Sequence, residues 1–217
     1  VWINWGLLSG PRTQAINVTS NASFLLSRPL ERQIAKGISK VVQLDPVLKG
    51  VRPINVGESI ADFRGMAHGA REGIRRALFV LKNEFPEDLA IAKTEMPLIP
   101  AIKGKLGRVV RLPGTAMLAS DEFFKALNYT GEIYSRAYSE AHFLGLKGET
   151  FNRMVAELIN NPSELTKRAA SYESEVRTFT ENPGKVVNKL LEIRSEHPMA
   201  KFLVPFMRTP WNIARKG

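Results

Sequence analysis

Apolar residues recur every three or four positions along most of the chain, and polar or charged residues fill the positions between them. This spacing is typical of amphipathic α-helices. The predicted fold class is therefore mainly α, a multi-helix bundle of seven or eight helices. The pattern and its flanking Pro, Gly and Asn residues place the helices at about 11–27, 30–45, 58–82, 120–144, 149–160, 163–179 and 183–195, with a tail from near Pro198.

The segment 86–113 departs from the helical pattern. It contains four prolines and a run of basic residues. Residues 105–112 alternate loosely between apolar and polar, as in a short strand. We therefore expect an irregular, Pro-rich basic segment here, with room for one short β-hairpin near 103–112.

The domain organisation is expected to be simple. The chain 1–217 is predicted to form a single helical region, with a subdivision into 1–85 and 114–217 around the irregular segment as the alternative. The chain begins with Val1 and ends on what reads as an interrupted helix. We therefore expect the region to be a fragment of a longer polypeptide.

A ridge of small residues gives the strongest periodic signal, within 58–82. Small residues recur there at every fourth position, so they line one face of a helix and leave it bare: Ala61, Gly65, Gly69, Gly73 and Ala77. Each glycine costs about 1 kcal/mol against alanine in a helix, so their retention indicates a close contact with another backbone. A helix of the same fold and a second copy of the chain are both open as the partner. A membrane helix pair is disfavoured, because several arginines interleave with the ridge.

The positive net charge of the chain indicates an anionic partner. The formal net charge is +10 and the pI about 10.0, which favours nucleic acid, a lipid head-group surface or an acidic protein. The basic excess is spread along the chain, so any contact with DNA would be nonspecific and salt-dependent. The residues predicted to contact an anionic partner are the basic run Lys103, Lys105, Arg108 and Arg111.

Large apolar side chains cluster near both ends of the chain. Such clusters are normally buried against the rest of the molecule or against a partner. The residues predicted to dock neighbouring segments or subunits are Trp2, Trp5, Phe202, Phe206 and Trp211. Seating at a membrane surface is the alternative, since tryptophan beside cationic residues suits the head-group region.

The sequence offers little for catalysis. Cysteine is absent, which excludes disulfides and thiolate metal sites. The three histidines lie in no metal-binding spacing, and neither a nucleophile elbow nor a phosphate-binding glycine loop occurs. We therefore predict no enzyme activity, no cofactor and no metal. One alternative stays open, because Glu58-Ser59 after Gly57 is similar to the glutamate-serine pair of lytic transglycosylases, although their characteristic downstream segment is missing.

Three stretches together resemble a known family. They are Leu7–Asn17, Leu112–Gly114 followed by Ala119–Leu127, and Phe202–Ile213. In this order and approximate spacing they resemble a helical region of the very large virion-associated proteins of tailed bacteriophages. These include internal or ejection proteins and polyvalent proteins.

The resemblance implies a structural segment of a phage polypeptide that associates with the portal or tail and leaves with the genome to aid DNA delivery. It implies a location inside the capsid or tail, and then in the host cell envelope. The implied partners are other copies of the chain and other virion proteins, with nonspecific DNA and the host membrane surface as further ones. It implies no catalytic residue. The competing functions are a peptidoglycan-cleaving module that uses Glu58 and a membrane-surface module.

Overall fold

A computed structural model of the protein describes residues 10–42, 56–87 and 104–178, together with Thr180 and Lys189. Within these ranges the chain is mainly helical and forms no strand, which confirms the predicted fold class. The total of seven or eight helices stays a prediction, because part of it falls outside the described residues. The described helices are α1 (Pro11–Val42), α2 (Val56–Asn83), α3 (Gly104–Phe143), α4 (Gly148–Asn160) and α5 (Glu164–Arg177).

The β-hairpin near 103–112 is wrong over the described residues 104–112, which form the first turns of α3. The predicted irregular segment is wrong there for the same reason, since α3 also continues through Pro113. The apolar residues Leu106, Val109 and Val110 are spaced by three and one, which fits a helix face as well as a loose alternation. A run this short does not separate the two periods.

The predicted break near Pro29 is also wrong, because α1 continues through it. A proline removes one backbone donor and crowds the preceding turn. On the same stretch of helix, the Ser27 hydroxyl lies 3.0 Å from the carbonyl oxygen of Phe24 and 2.8 Å from the Glu31 carboxylate. These side-chain contacts span the turn that contains the proline.

The predicted start of a helix near residue 120 is wrong, because α3 already begins at Gly104. The ends of α2, α4 and α5 and the C-terminal end of α3 lie close to their predicted positions. α2, α4 and α5 each match the predicted range within about two residues. α3 ends at a turn in which Gly145 adopts φ +70° and the Leu146 amide donates to the carbonyl of Ala141 at 3.3 Å. A left-handed glycine with this hydrogen bond is a common way to end a helix.

Contacts group the chain into two compact units. Among the described residues, unit 1 draws on 10–21, 73–87, 104–125 and 175–178, and unit 2 draws on 22–42, 56–72 and 126–174. The subdivision into 1–85 and 114–217 stays a prediction.

Polar side chains make up much of the described interior. The buried hydrophobic residues include many alanines, whereas the buried polar ones include Asn21, Glu58, Asp62, Glu122, Lys125, Asn128 and Glu132. Many larger apolar side chains are exposed instead, among them Ile16, Phe24, Ile60, Phe63, Ile74, Leu78, Leu106 and Val109. The described helices are therefore held together to a large extent by close backbone approach and by polar contacts.

Candidate functional site

The ridge of α2 packs closely on α3 within unit 2. A Cβ atom placed on Gly65 would lie 2.6 Å from the carbonyl oxygen of Thr130 and 2.8 Å from the Cα of Gly131. A Cβ atom on Gly69 would lie 2.9 Å from the carbonyl oxygen of Ala126 and 2.8 Å from the Thr130 Oγ1. Real Cβ contacts are not this short, so both positions require glycine. Of the two partners left open by the sequence, the one at these positions is a helix of the same chain.

α3 contributes a glycine of its own to this contact. A Cβ atom on Gly131 would overlap the Asp62 carboxylate and would lie 3.1 Å from the Cγ of Met66. Sequence reasoning missed Gly131. The signal that could have found it is an isolated glycine inside a predicted helix, which usually has a packing reason.

The ridge extends over both units. Ala61, Gly65 and Gly69 are buried in unit 2, while Gly73 is buried and Ala77 half-buried in unit 1. In unit 2, α2 residues with higher residue numbers contact α3 residues with lower ones. The two helices therefore run antiparallel there.

An aromatic cluster lies at the start of α2. The Tyr138 ring lies directly on the backbone of Gly57, where any side chain would overlap it. The same ring packs edge to face against Phe151 of α4, with ring centroids 5.0 Å apart, and stacks on His142 at 6.4 Å. Gly57 therefore acts by making room for a tyrosine that joins α2, α3 and α4.

A groove adjoins this cluster within unit 2. Its volume is about 340 Å³, and its lining combines apolar and aromatic side chains with one arginine: Gly57, Ile60, Ala61, Arg64, Tyr134, Tyr138, Phe151, Asn152, Val155 and Ile159. The lining holds no carboxylate. This is the low end of the volumes usual for small-molecule sites.

Glu58, the alternative catalytic residue, is buried in unit 2. Its carboxylate accepts a hydrogen bond from the Ser139 hydroxyl at 3.1 Å, and it is not among the residues that line the groove. The neighbouring Ser59 is also buried. A general acid needs to reach the substrate. The Glu58 carboxylate instead binds Ser139 and does not line the groove.

Metal ligands do not gather within the described ranges, where no group of three or more His, Asp or Glu side chains could hold an ion. His68 stacks on Tyr134 with ring centroids 5.4 Å apart. The third histidine, His197, lies outside the described residues.

A buried polar cluster joins α1 and α3 in unit 1. The Asn21 side-chain amide donates to the Asp121 carboxylate at 3.0 Å. Burial raises the pKa of Asp121 to about 6, against the opposing effects of hydrogen bonds from Asn21 and Asn17 and of the Lys125 charge. Next to it, the buried Lys125 ammonium donates to the Glu122 carboxylate at 2.8 Å. No local pattern predicts this cluster, because Asn21 and Asp121 lie 100 residues apart along the chain.

The basic run is partly neutralised within unit 1. The guanidinium groups of Arg111 and Arg108 donate to the Glu84 carboxylate, at 2.5 and 3.2 Å. These hydrogen bonds, that of Arg111 first, hold the pKa of Glu84 below its usual value. Lys105 is exposed on α3, and Lys103 lies outside the described residues.

The five predicted docking residues, Trp2, Trp5, Phe202, Phe206 and Trp211, all lie outside the described residues. Of the helices in the described ranges, none contains a stretch that is long and apolar enough to cross a membrane. The sequence matches no protein-family model, and neither a curated protein nor a solved structure shows significant similarity to it.

Proposed function

We propose that the chain is a structural segment of a phage internal virion or ejection protein, associated with the portal or tail and released with the genome to aid DNA delivery into the host. It acts through contacts and not through turnover. The seven or eight helices expected for the whole chain belong to this proposal. So do its location in the virion and, on infection, in the host cell envelope.

The observation that carries the proposal is the backbone contact between α2 and α3. Gly65, Gly69 and Gly131 bring two helices closer than any side chain would allow. Such a contact supports a rigid packing element, and a rigid helical segment suits a part that must assemble in a defined place. The resemblance of three stretches to virion-associated proteins supplies the phage context.

The exposed cations supply the second half of the proposal. Lys105 is exposed, and the Arg108 side chain keeps 71% of its surface exposed while it binds Glu84. Because these groups are exposed, they can contact phosphate or an acidic partner with little loss of hydration free energy. The predicted docking residues near both ends would contact other copies of the chain or other virion proteins.

Particle composition tests the proposal. Quantitative mass spectrometry of purified phage particles, before and after genome release, should find peptides of this chain in full particles and strongly reduced amounts in emptied ones. The major capsid protein is the internal control, since its amount should not change. Peptides found only in the infected-cell lysate would contradict the proposal.

Enzyme activity is the competing function. A peptidoglycan zymogram should show no clearing with the wild type or with Glu58→Gln. Clearing by the wild type that is lost in Glu58→Gln, but kept in the exposed-site control Glu149→Gln, would replace the structural role by a catalytic one.

The membrane-surface function is tested by liposome flotation. Flotation only with vesicles that contain anionic lipid, and only at low salt, would indicate electrostatic attraction to the head groups. Flotation that persists at high salt would indicate apolar insertion at the membrane surface. Failure to float with vesicles that contain anionic lipid and with vesicles that lack it would exclude this function.

A further inference from the structure

The groove of unit 2 is elongated. α4 lines it with Phe151, Val155 and Ile159, each one turn after the other, so it follows the helix for about 12 Å. This length and the apolar lining suit an extended alkyl chain.

The two ends of the groove differ in chemistry. At the Gly57 end, the Tyr138 and Phe151 rings are in contact. Arg64 lies seven residues further along α2, about 10 Å away at 1.5 Å per residue. Its side chain is exposed and forms no ion pair with any described residue, and no carboxylate lines the groove. An apolar chain that ends in an anionic group complements both ends.

Tyr134 and Tyr138 both line the groove. The hydroxyl groups of Tyr134 and Tyr138 form no hydrogen bond with other described residues. A carboxylate or phosphate head at Arg64 can accept from a guanidinium, and charge-assisted hydrogen bonds of this kind are the stronger ones. Removal of methylene groups from water along Ile60, Val155 and Ile159 supplies the remaining affinity.

We propose that the groove binds one molecule of a single-chain anionic amphiphile, with its alkyl chain along α4 and its head group at Arg64. The proposal is independent of the phage function, because it rests on the groove alone.

Isothermal titration calorimetry of the full chain with sodium decanoate, below the micellar concentration, tests the proposal. One site per chain is expected. Arg64→Gln should weaken decanoate binding by about tenfold, the effect of one charged hydrogen bond. The matched control is Arg71→Gln, because Arg71 is also exposed on α2 but does not line the groove. It should change the affinity by less than about twofold.

Two further measurements distinguish binding in the groove from nonspecific hydrophobic binding. Decyltrimethylammonium has a similar chain and the opposite charge, so it should bind about tenfold more weakly than decanoate. Ile60→Trp adds bulk to a side chain that is 51% exposed, so it should fill the groove and abolish binding without lowering the melting temperature.

Four results would overturn the proposal. One is equal affinity for the anionic and cationic amphiphiles, and another is equal behaviour of Arg64→Gln and Arg71→Gln. A third is the absence of decanoate binding. The fourth is binding of anionic vesicles or of an acidic peptide that depends on Arg64 while decanoate does not bind, since the surface would then serve a membrane or a peptide.

Discussion

The closest helix contacts of the two units are of different kinds. In unit 2, α2 and α3 meet backbone to backbone, with Gly65 against Gly131. In unit 1, α1 and α3 meet through polar side chains, with Asn21 donating to Asp121. A backbone contact has no group that titrates, but it leaves no space for a larger side chain. A polar contact tolerates small changes in shape, but it depends on the protonation and pairing of its groups.

The difference predicts which perturbation each unit resists. Unit 2 should be sensitive to side-chain size at its backbone contact. Unit 1 should be sensitive to pH and to the loss of a charge partner. Variants that change only the size or only the charge of a side chain therefore test this difference between the units.

The largest effect is expected for Lys125→Met in unit 1. Lys125 and Glu122 form a buried ion pair at 2.8 Å, with about 6% of each side chain exposed. Removal of the lysine leaves a buried carboxylate without its cation, which should lower the free energy of unfolding by about 3–5 kcal/mol. Urea denaturation measures this change.

The double variant Glu122→Met, Lys125→Met is the control for that loss. An apolar pair of similar volume removes both charges, so its stability should return close to that of the wild type. A double variant as unstable as the single one would show that the side-chain shapes, and not the charges, are what unit 1 requires.

The next effect is expected for Gly69→Leu in unit 2. The added side chain meets the carbonyl oxygen of Ala126 and the side chain of Thr130, so the helices must separate. We expect a loss of about 3 kcal/mol or a change in assembly, as for severe overpacking. Ala67→Leu is the matched control on the same helix, because Ala67 is exposed, and it should stay within about 0.5 kcal/mol. Normal oligomer size and unchanged melting in Gly69→Leu would remove the close-contact argument.

A pH effect of similar or smaller size is expected at Asp121. Its folded-state pKa of about 6 lies above the ordinary value of 3.8, so the folded state binds a proton more readily than the unfolded state. The contribution of Asp121 to stability is then fully present below pH 4, is lost as the pH rises to about 6, and is level above that. The shift corresponds to about 2–3 kcal/mol between the two limits.

Asp121→Asn isolates this effect, because an amide oxygen can still accept from Asn21. The variant should be more stable than the wild type at pH 7.5, and it should lack the wild-type decline between pH 4 and 6. The exposed-site control Glu164→Gln should keep the wild-type profile. A wild-type profile in Asp121→Asn would assign the decline to another group.

Local pattern predicted some of this architecture well. The range of α2 and its close contact at Gly65 and Gly69 followed from a single periodicity, because a four-residue ridge has few explanations other than packing. The helix ends at Phe143 and Asn160 also followed from nearby Gly, Asn and Pro residues.

Tertiary context decided the rest. Pro29 and Pro113 each predict a break, since proline costs about 3 kcal/mol inside a helix, yet α1 and α3 continue through them. A helix start was predicted near residue 120, because Ser-Asp-Glu is typical of a helix N-terminus, but Asp121 lies inside α3. Its partner Asn21 lies 100 residues away, and no local pattern reports a contact at that separation. The groove was missed for the same reason, since it is built from three helices.

The smallest stability effect is expected for Glu84→Gln in unit 1. Glu84 binds Arg111 and Arg108, but the arginine side chains are 27% and 71% exposed. Exposed ion pairs contribute little, so the loss should be about 1 kcal/mol or less, and smaller at high salt. The exposed pair Glu149–Arg153 supplies the control Glu149→Gln, which should show no measurable loss.

The same variant sharpens the comparison through binding. Glu84→Gln removes the carboxylate that both Arg108 and Arg111 bind, while it changes the net charge by one. Its nonspecific affinity for double-stranded DNA should therefore rise, and its salt dependence should steepen by about one phosphate contact. Glu149→Gln makes the same change in net charge in unit 2, which does not contain the basic run. If both variants raise DNA affinity equally, net charge alone governs the contact. A rise confined to Glu84→Gln would mean that Glu84 lowers the DNA affinity of the basic run in unit 1. The polar contacts of unit 1 would then control binding, a role that the backbone contact of unit 2 cannot perform.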